Sequence, residues 1–250
     1  MSRFEGKVAL VTGGASGMGR ATCVRLTSEA CRVYALDIDS SGLEETAAIV
    51  KEAGGTVETR VCDVSRRSEC FEAVEACIAT YGRLDILANV AGILRLVHSL
   101  EMSEEEWNRV LGVNLSGPFF MSQAALPHLF ETGGNIVNVA SNAGFMGQSY
   151  AAAYCSSKAG IINLTRALAV EFFKKDIRVN AVAPGGTDTS MTRDVAVPKD
   201  ADVRLMLRAT VPRPASPPED IAAAIAYLAS DDAKSIHGAI LSVDNGMTAG

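Results

Sequence analysis

The 250-residue chain contains no Cys-x-x-Cys pair. Its cysteines (Cys23, Cys31, Cys62, Cys70, Cys77, Cys155) and histidines (His98, His128, His237) share no ligand spacing, so no metal site is expected. A disulfide framework is not expected in a chain long enough to bury a large core, and the thiols read as reduced packing residues. Lys and Arg nowhere concentrate on one segment and the net charge is −6, so neither nucleic acid nor an anionic membrane is an expected partner. No apolar run approaches the ~20 residues that cross a bilayer, Ala222 to Ala229 being far too short. Met1-Ser2-Arg3-Phe4-Glu5-Gly6-Lys7 lacks the apolar core and cleavage site of a secretory signal, and a cytoplasmic location is expected.

What is present is an alternation of strand-like and helix-like segments from end to end. Val8–Val11, Arg32–Leu36, Val57–Val61 and Asp85–Ala88 read as strands, separated by helices over Met18–Glu29, Gly42–Ala53 and Ser68–Tyr81. The second half repeats the rhythm. A helix spans Glu104–Phe130, with a break or kink predicted by Gly112, Gly117 and Pro118. Strands at Asn135–Val139, Arg178–Val182 and Ala239–Val243 alternate with helices from about Tyr150 to Phe173 and over Pro218–Ser230. Near-continuous apolar strands fit a parallel sheet covered on both faces by helices. The fold class is therefore α/β, one doubly wound parallel sheet in a single domain over residues 1–250. Residues 184–217 break the rhythm with Pro, Thr, Asp and Arg, and read as a substrate-covering lid, with a short helix at Ala201–Ala209.

Directly after the first strand comes Thr12-Gly13-Gly14-Ala15-Ser16-Gly17-Met18-Gly19. Glycine at 13 permits a tight turn, at 17 a close backbone approach to pyrophosphate, and at 19 tight packing of helix on sheet. Free N–H groups at the helix start then face an anion, as in a Rossmann dinucleotide site. The second strand ends at Asp37, whose carboxylate can accept from both adenosine ribose hydroxyls and repel a 2′-phosphate. Neither Ser16 nor Ile38 offers that phosphate a cation, which points to NAD. Asp63-Val64 and Asn89-Val90-Ala91-Gly92 follow the third and fourth strands, where ligands bind in open α/β sheets. Either alone could be a turn, but their common placement favours a ligand. The cofactor-binding set is thus Gly13, Ser16, Gly17, Met18, Gly19, Asp37, Ile38, Asp63, Val64, Asn89, Ala91 and Gly92.

Tyr154 and Lys158 stand four apart in one helix, so phenol and ammonium can share a cleft. A free tyrosine has a pKa of about 10, and a nearby cation favours the phenolate that accepts an alcohol proton as hydride leaves carbon. Ser141 lies just past a strand, where its hydroxyl can steady charge on the substrate oxygen. Asn114 lies beside the predicted helix break, where an amide or freed carbonyl can hold a water near Lys158. His98 follows Gly92 near the place of substrate entry, and Leu94, Asn142, Gly144, Gln148, Asp188 and Met191 are candidates for the pocket wall.

On these motifs the chain resembles the short-chain dehydrogenase/reductase family over nearly its whole length. The matching stretches are Thr12 to Gly19, Asn89 to Gly92, Asn114, Ser141, Tyr154 with Lys158, and Pro184-Gly185 through Thr189. The resemblance implies a catalytic set of Asn114, Ser141, Tyr154 and Lys158, with Tyr154 and Lys158 also touching the cofactor. It implies that Pro184, Gly185, Thr187 and Thr189 meet the nicotinamide end and the phosphates. It further implies a homotetramer, with the Tyr154 helix in one interface and the last strand in another. Val90 and Asn245 depart from the family's usual asparagine and glycine, which touches turn geometry alone. The expected activity is NAD-dependent interconversion of a secondary alcohol and a ketone. The alternatives are an NADPH-dependent 3-oxoacyl thioester reductase, for which Arg193, Arg204, Arg208 and Arg213 are scattered cations, and a silent dinucleotide-binding sensor.

Overall fold

The computed structural model describes residues 2–207 and 213–249. Seven strands form one sheet: β1 (Val8–Thr12), β2 (Arg32–Asp37), β3 (Thr56–Val61), β4 (Ile86–Asn89), β5 (Asn135–Val139), β6 (Arg178–Pro184) and β7 (Ile240–Val243). Every pairing is parallel, in the order β3-β2-β1-β4-β5-β6-β7. The order reverses between β1 and β4, so the loops leaving these two strands part and open a crevice above the sheet.

Alternation along β1 shows why the sheet needs helices on both sides. Ala9 and Val11 face one layer with Leu26 of α1 (Gly17–Ser28), Leu43 and Val50 of α2 (Ser40–Glu52), and Ile221 and Ile225 of the C-terminal helix at Pro218–Ala229. Val8 and Leu10 face the other, with Cys70 and Val74 of α3 (Arg67–Tyr81) and the helices that follow β4 and β5. None of these helices is long and apolar enough to cross a membrane, among the described residues.

The long helix expected over Glu104–Phe130 does not break. It runs as α4 (Glu104–Leu111), one π-helical stretch over Gly112–Ser116, and α5 (Gly117–Thr132). Gly117, which looks like a breaker in sequence, is a contact residue: a Cβ there would stand 2.9 Å from the Val64 side chain. The next helix, α6 (Ala152–Glu171), starts later than expected because Tyr150 takes a left-handed backbone, φ 63°. In the segment after β6 the short α7 (Ser190–Arg193) and α8 (Val203–Leu207) precede α9 (Pro218–Ala229). Of the helix expected at Ala201–Ala209, residues 203–207 are helical, while 208 and 209 lie outside the described residues.

The start of the sheet is tied by one buried carboxylate. Asp85, 1% exposed, accepts from the Val8 N–H at 3.0 Å and takes both Arg83 donors, at 2.9 and 2.6 Å. Lys7 stands 3.4 Å from its other face. Asp85→Ala leaves the Val8 N–H buried without an acceptor and is expected to cost about 2 kcal/mol in urea unfolding. A loss below about 0.5 kcal/mol would show that this carboxylate is not a strut.

Candidate active site

The first turn of the site is dictated by sterics. A Cβ on Gly19 would lie 1.9 Å from the Gly13 carbonyl oxygen, and one on Gly13, whose φ is 73°, would lie 2.9 Å from the Ala91 backbone. The glycines therefore let α1 start directly on the end of β1, beside the loop leaving β4. Thr12 completes the junction, its hydroxyl accepting from the N–H groups of Val90 and Ala91 at 3.0 and 3.1 Å. Thr12 opens the glycine motif in the sequence, but its link to the loop after β4 could not be read there.

A cleft of about 310 Å³ runs over this turn. It is lined by Gly13, Ser16, Gly17, Met18 and Gly19, by Asp37 and Ile38, by Asp63 and Val64, and by Ala91, Gly92 and Thr189. The Asp37 carboxylate is held in place by the N–H groups of Ala15 and Asp39, both at 3.1 Å. Asp39 is a second carboxylate at this end, and its hydrogen bonds from Ser41 and Gly42 keep its pKa below the usual carboxylate range. Arg20, which sequence reading overlooked, lies nearby but is already engaged, donating to the Ala15 and Gly42 carbonyls, Thr46 and Glu45.

Asn89 does not line this cleft. It is 2% exposed and donates to Asn138 at 2.8 Å, joining β4 to β5 beneath the site. Its position at a strand end suggested a ligand, but its side chain points into the protein. Pro184 and Gly185 close β6 against the last strand, where a Cβ on Gly185 would meet the Asp244 backbone at 2.8 Å. Thr187 is buried in a single bridge to Ser216, and Thr189 caps α7 beside Gly17, whose absent Cβ would stand 3.1 Å from the threonine methyl.

At the Gly92 end of the cleft stand Asn114 and Lys158, with Tyr154 beside Lys158 and the Ser141 hydroxyl against Tyr154. A Cβ on Gly92 would stand 3.4 Å from Asn114 Oδ1 and 3.6 Å from Lys158 Nζ. Asn114 sits in the π-helical stretch, and its amide clamps the chain after Gly92: Oδ1 accepts from Ile93 N at 2.8 Å, and Nδ2 donates to Ile93 O at 2.9 Å and Ser157 Oγ at 3.1 Å. That amide is thus spent on positioning. The Asn114 carbonyl faces a different ladder, since Pro118 four residues on has no N–H to give it.

Lys158 is 4% exposed and donates to the Val139 carbonyl at 2.8 Å, with its Nζ 5.7 Å from the Tyr154 ring centre. Burial without an anionic partner lowers its pKa to about 8. Burial also raises the pKa of Tyr154, against which the Ser141 hydroxyl acts. Desolvation therefore sets the direction of the shift in the protein alone, contrary to the simple expectation of a phenol made acidic by its neighbour. Gly144, expected on the pocket wall, instead lets the Ser141 turn press on α6, where a Cβ would be 2.8 Å from the Lys158 carbonyl. Asp188 pairs with Arg193 at 3.6 Å, Met191 lines the cleft, and Arg208 lies outside the described residues.

The segment over the site is anchored in its middle. His98 Nε2 meets Asp200 at 2.9 Å and its ring packs edge-on against Tyr150, whose hydroxyl accepts from Asp202 N at 2.8 Å. His98 is accordingly engaged by the segment after β6.

Comparison with known proteins agrees with this geometry. A family model described as enoyl-(acyl carrier protein) reductase matches residues 13–248. The chain is 39% identical to the 3-oxoacyl-(acyl-carrier-protein) reductase FabG of Thermotoga maritima, covering 98% of this chain and 99% of that protein. It is 38% identical to the D-threitol dehydrogenase of Mycolicibacterium smegmatis, covering 98% and 94%. A solved short-chain dehydrogenase from Mycobacterium paratuberculosis, bound to NAD, superposes with a TM-score of 0.93 at 31% identity over 99% of this chain and 100% of that one. A protein of this kind is a nicotinamide-dependent oxidoreductase acting between alcohol and carbonyl. The chain belongs to the short-chain dehydrogenase/reductase family.

The lowered pKa of Lys158 has a measurable sign. Unfolded chain holds this proton up to about pH 10.5 and the folded protein only to about 8, so between these values stability rises with pH. Lys158→Met has no such proton. Without added nucleotide, the stability of the native sequence relative to this variant is expected to rise by about 3 kcal/mol between pH 7.5 and 10.5. A difference independent of pH would refute the burial of a charged Lys158.

Proposed function

We propose that the protein is an NAD-dependent dehydrogenase of a secondary alcohol, with Tyr154 as general acid/base. The observation that carries this reading is the meeting of Tyr154, Ser141 and Lys158 at the Gly92 end of a cleft whose other end presents Asp37. Asp37, Ser16, Gly17, Met18, Asp63 and Val64 would hold the dinucleotide over the turn that Gly13 and Gly19 let α1 make on the end of β1. Asp37 and Asp39 disfavour a 2′-phosphate there by like charge, and the guanidinium of Arg20 is turned to backbone carbonyls and Glu45.

When bound, oxidised nicotinamide would supply the hydride acceptor for the carbinol carbon and a positive ring. Tyr154 accepts the hydroxyl proton at its phenolic oxygen. Ser141 orients the substrate oxygen, and Lys158 offsets the phenolate charge through its ammonium. Asn114 holds the Ile93 segment that borders the reacting atoms. Residues 184–217 serve as the lid, closed by the Asp200 and Asp202 contacts. A homotetramer fits the exposed apolar side chains at the end of α6, Val170 at 76% and Phe173 at 77%, and the edge position of β7. Light scattering of the native chain is expected to give the fourfold mass, reduced in Phe173→Glu.

Rates with NAD and NADP on cyclohexanol, cyclopentanol, D-threitol and mannitol test the chemistry. NAD is expected to be preferred, and Tyr154→Phe to lose about 10²- to 10⁴-fold in kcat with NAD binding retained. Asp37→Ala is expected to narrow the preference by roughly tenfold, the weight of one charge-assisted contact. Preference for NADPH with a 3-oxoacyl thioester would replace this reading with that of the Thermotoga relative. NAD binding without turnover of any alcohol or ketone would leave a sensor.

A further inference from the structure

Arg109 of α4 lines the cleft above the glycine turn, and with Arg95 it also lines a second cavity of about 260 Å³. Neither guanidinium has an ion-pair or hydrogen-bond partner among the described residues. Other arginines around the site are engaged: Arg20 with Glu45, Arg66 with Asp63 and Glu69, and Arg193 with Asp188. The acid that lines the second cavity is Glu106, and it is turned to the start of its own helix, where the Ser103 hydroxyl donates to it at 3.4 Å. Glu105, four residues before Arg109, forms no ion pair with it among the described residues. Two like charges that share a cavity repel each other. An oxyanion between them removes that repulsion and can accept from both planar donor forks.

The position of the cavity says whose anion it would be. Its described walls include none of the phosphate-turn residues 13–19. They are instead the continuation of the chain past Gly92 and Ile93, with Leu96 and Val97 facing Val195 and Ala196 of the segment after β6. Val97 N donates to the Tyr150 carbonyl at 2.8 Å, just before the helix that carries Tyr154. The cavity thus adjoins the reacting end of the cleft, with apolar walls for a carbon stem and cations for its tip.

We propose that the substrate is an anionic secondary alcohol, whose carboxylate or phosphate is received by Arg95 and Arg109 while its carbinol stands at Tyr154. This names the substrate class for the dehydrogenase reading above and rests on it. The anion anchors the molecule and takes no part in the oxidation.

The (ω−1)-hydroxy acids from 3-hydroxybutanoate to 11-hydroxydodecanoate, each against its primary amide, vary stem length and charge separately. Phosphate monoesters of matching diols, against the free diols, distinguish phosphate from carboxylate. At the stem length that fits, the anion is expected to exceed its neutral partner by about 10- to 100-fold in kcat/KM with NAD, the worth of charge-assisted hydrogen bonds. The preference is expected to vanish when Arg95→Gln and Arg109→Gln are combined, and to survive in part when both become lysine. Both side chains are exposed, so the core is untouched, and turnover of cyclohexanol is expected to stay native in these variants. Calorimetry gives a readout without turnover or nucleotide. Octanoate is expected to bind the native chain more tightly than octanamide, and no more tightly in the double glutamine variant. If cyclohexanol is oxidised while no anion outruns its neutral partner, the anion site alone is overturned. If no alcohol of any kind is oxidised, the dehydrogenase reading falls and the substrate class with it, whatever octanoate binds. Loss of NAD affinity in Arg109→Gln, with acid and amide slowed alike, would give that cation to the dinucleotide and overturn the proposal.

Discussion

The approach of two glycines holds the molecule's working end together. With no side chain at 19, the first turn of α1 passes over the Gly13 carbonyl at a distance that no Cβ allows. This brings the unpaired N–H groups of the helix start to the end of β1, and the helix can do so only because β1 and β4 send their loops apart. Thr12 locks the two loops to each other through one hydroxyl. Everything downstream inherits this junction: Ala91 lies against Gly13, Gly92 follows it, and Asn114 and Lys158 are placed by their nearness to Gly92. A change in that turn would move both ends of the cleft at once.

The reacting groups illustrate a competition between desolvation and charge. Tyr154 and Lys158 would attract each other's ionised forms in a polar surrounding, but each is pushed toward neutrality by burial. The protein alone therefore stores a reluctant base beside a reluctant cation. An oxidised nicotinamide ring, when bound, would add positive charge beside the phenol and favour its ionised form. Coupling of that kind needs Lys158 to be fixed, and its bond to the Val139 carbonyl supplies the fixing.

Much of this was legible in the sequence because it is local. The glycine turn, the strand ends at Asp37 and Asp63, and the four-residue step from Tyr154 to Lys158 are all set by neighbours in the chain. What could not be read depends on segments far apart. Gly117 looks like a breaker and Gly144 like pocket wall, yet they are thin places where a helix meets Val64 and a turn meets α6. Asn89 and Asn142 look like ligands at strand ends, yet each is turned inward by a partner 49 or 105 residues away. Asn114 was visible as a polar residue beside a helix irregularity, but its clamp on Ile93 needs the fold to bring the two together.

Tyr150 joins the segment after β6 to the start of α6. Its left-handed backbone is costly for a residue with a Cβ, and such a conformation persists only where surrounding contacts hold it. Here its carbonyl accepts from Val97 N at 2.8 Å, its ring packs on His98, and its hydroxyl takes Asp202 N. Two residues later α6 begins, with Tyr154 in its first turn. Release of Asp202 and Asp200 would remove part of what holds that backbone, at the point from which the Tyr154 helix is launched. The segment after β6 and the start of the Tyr154 helix are thus held by the same residue, Tyr150.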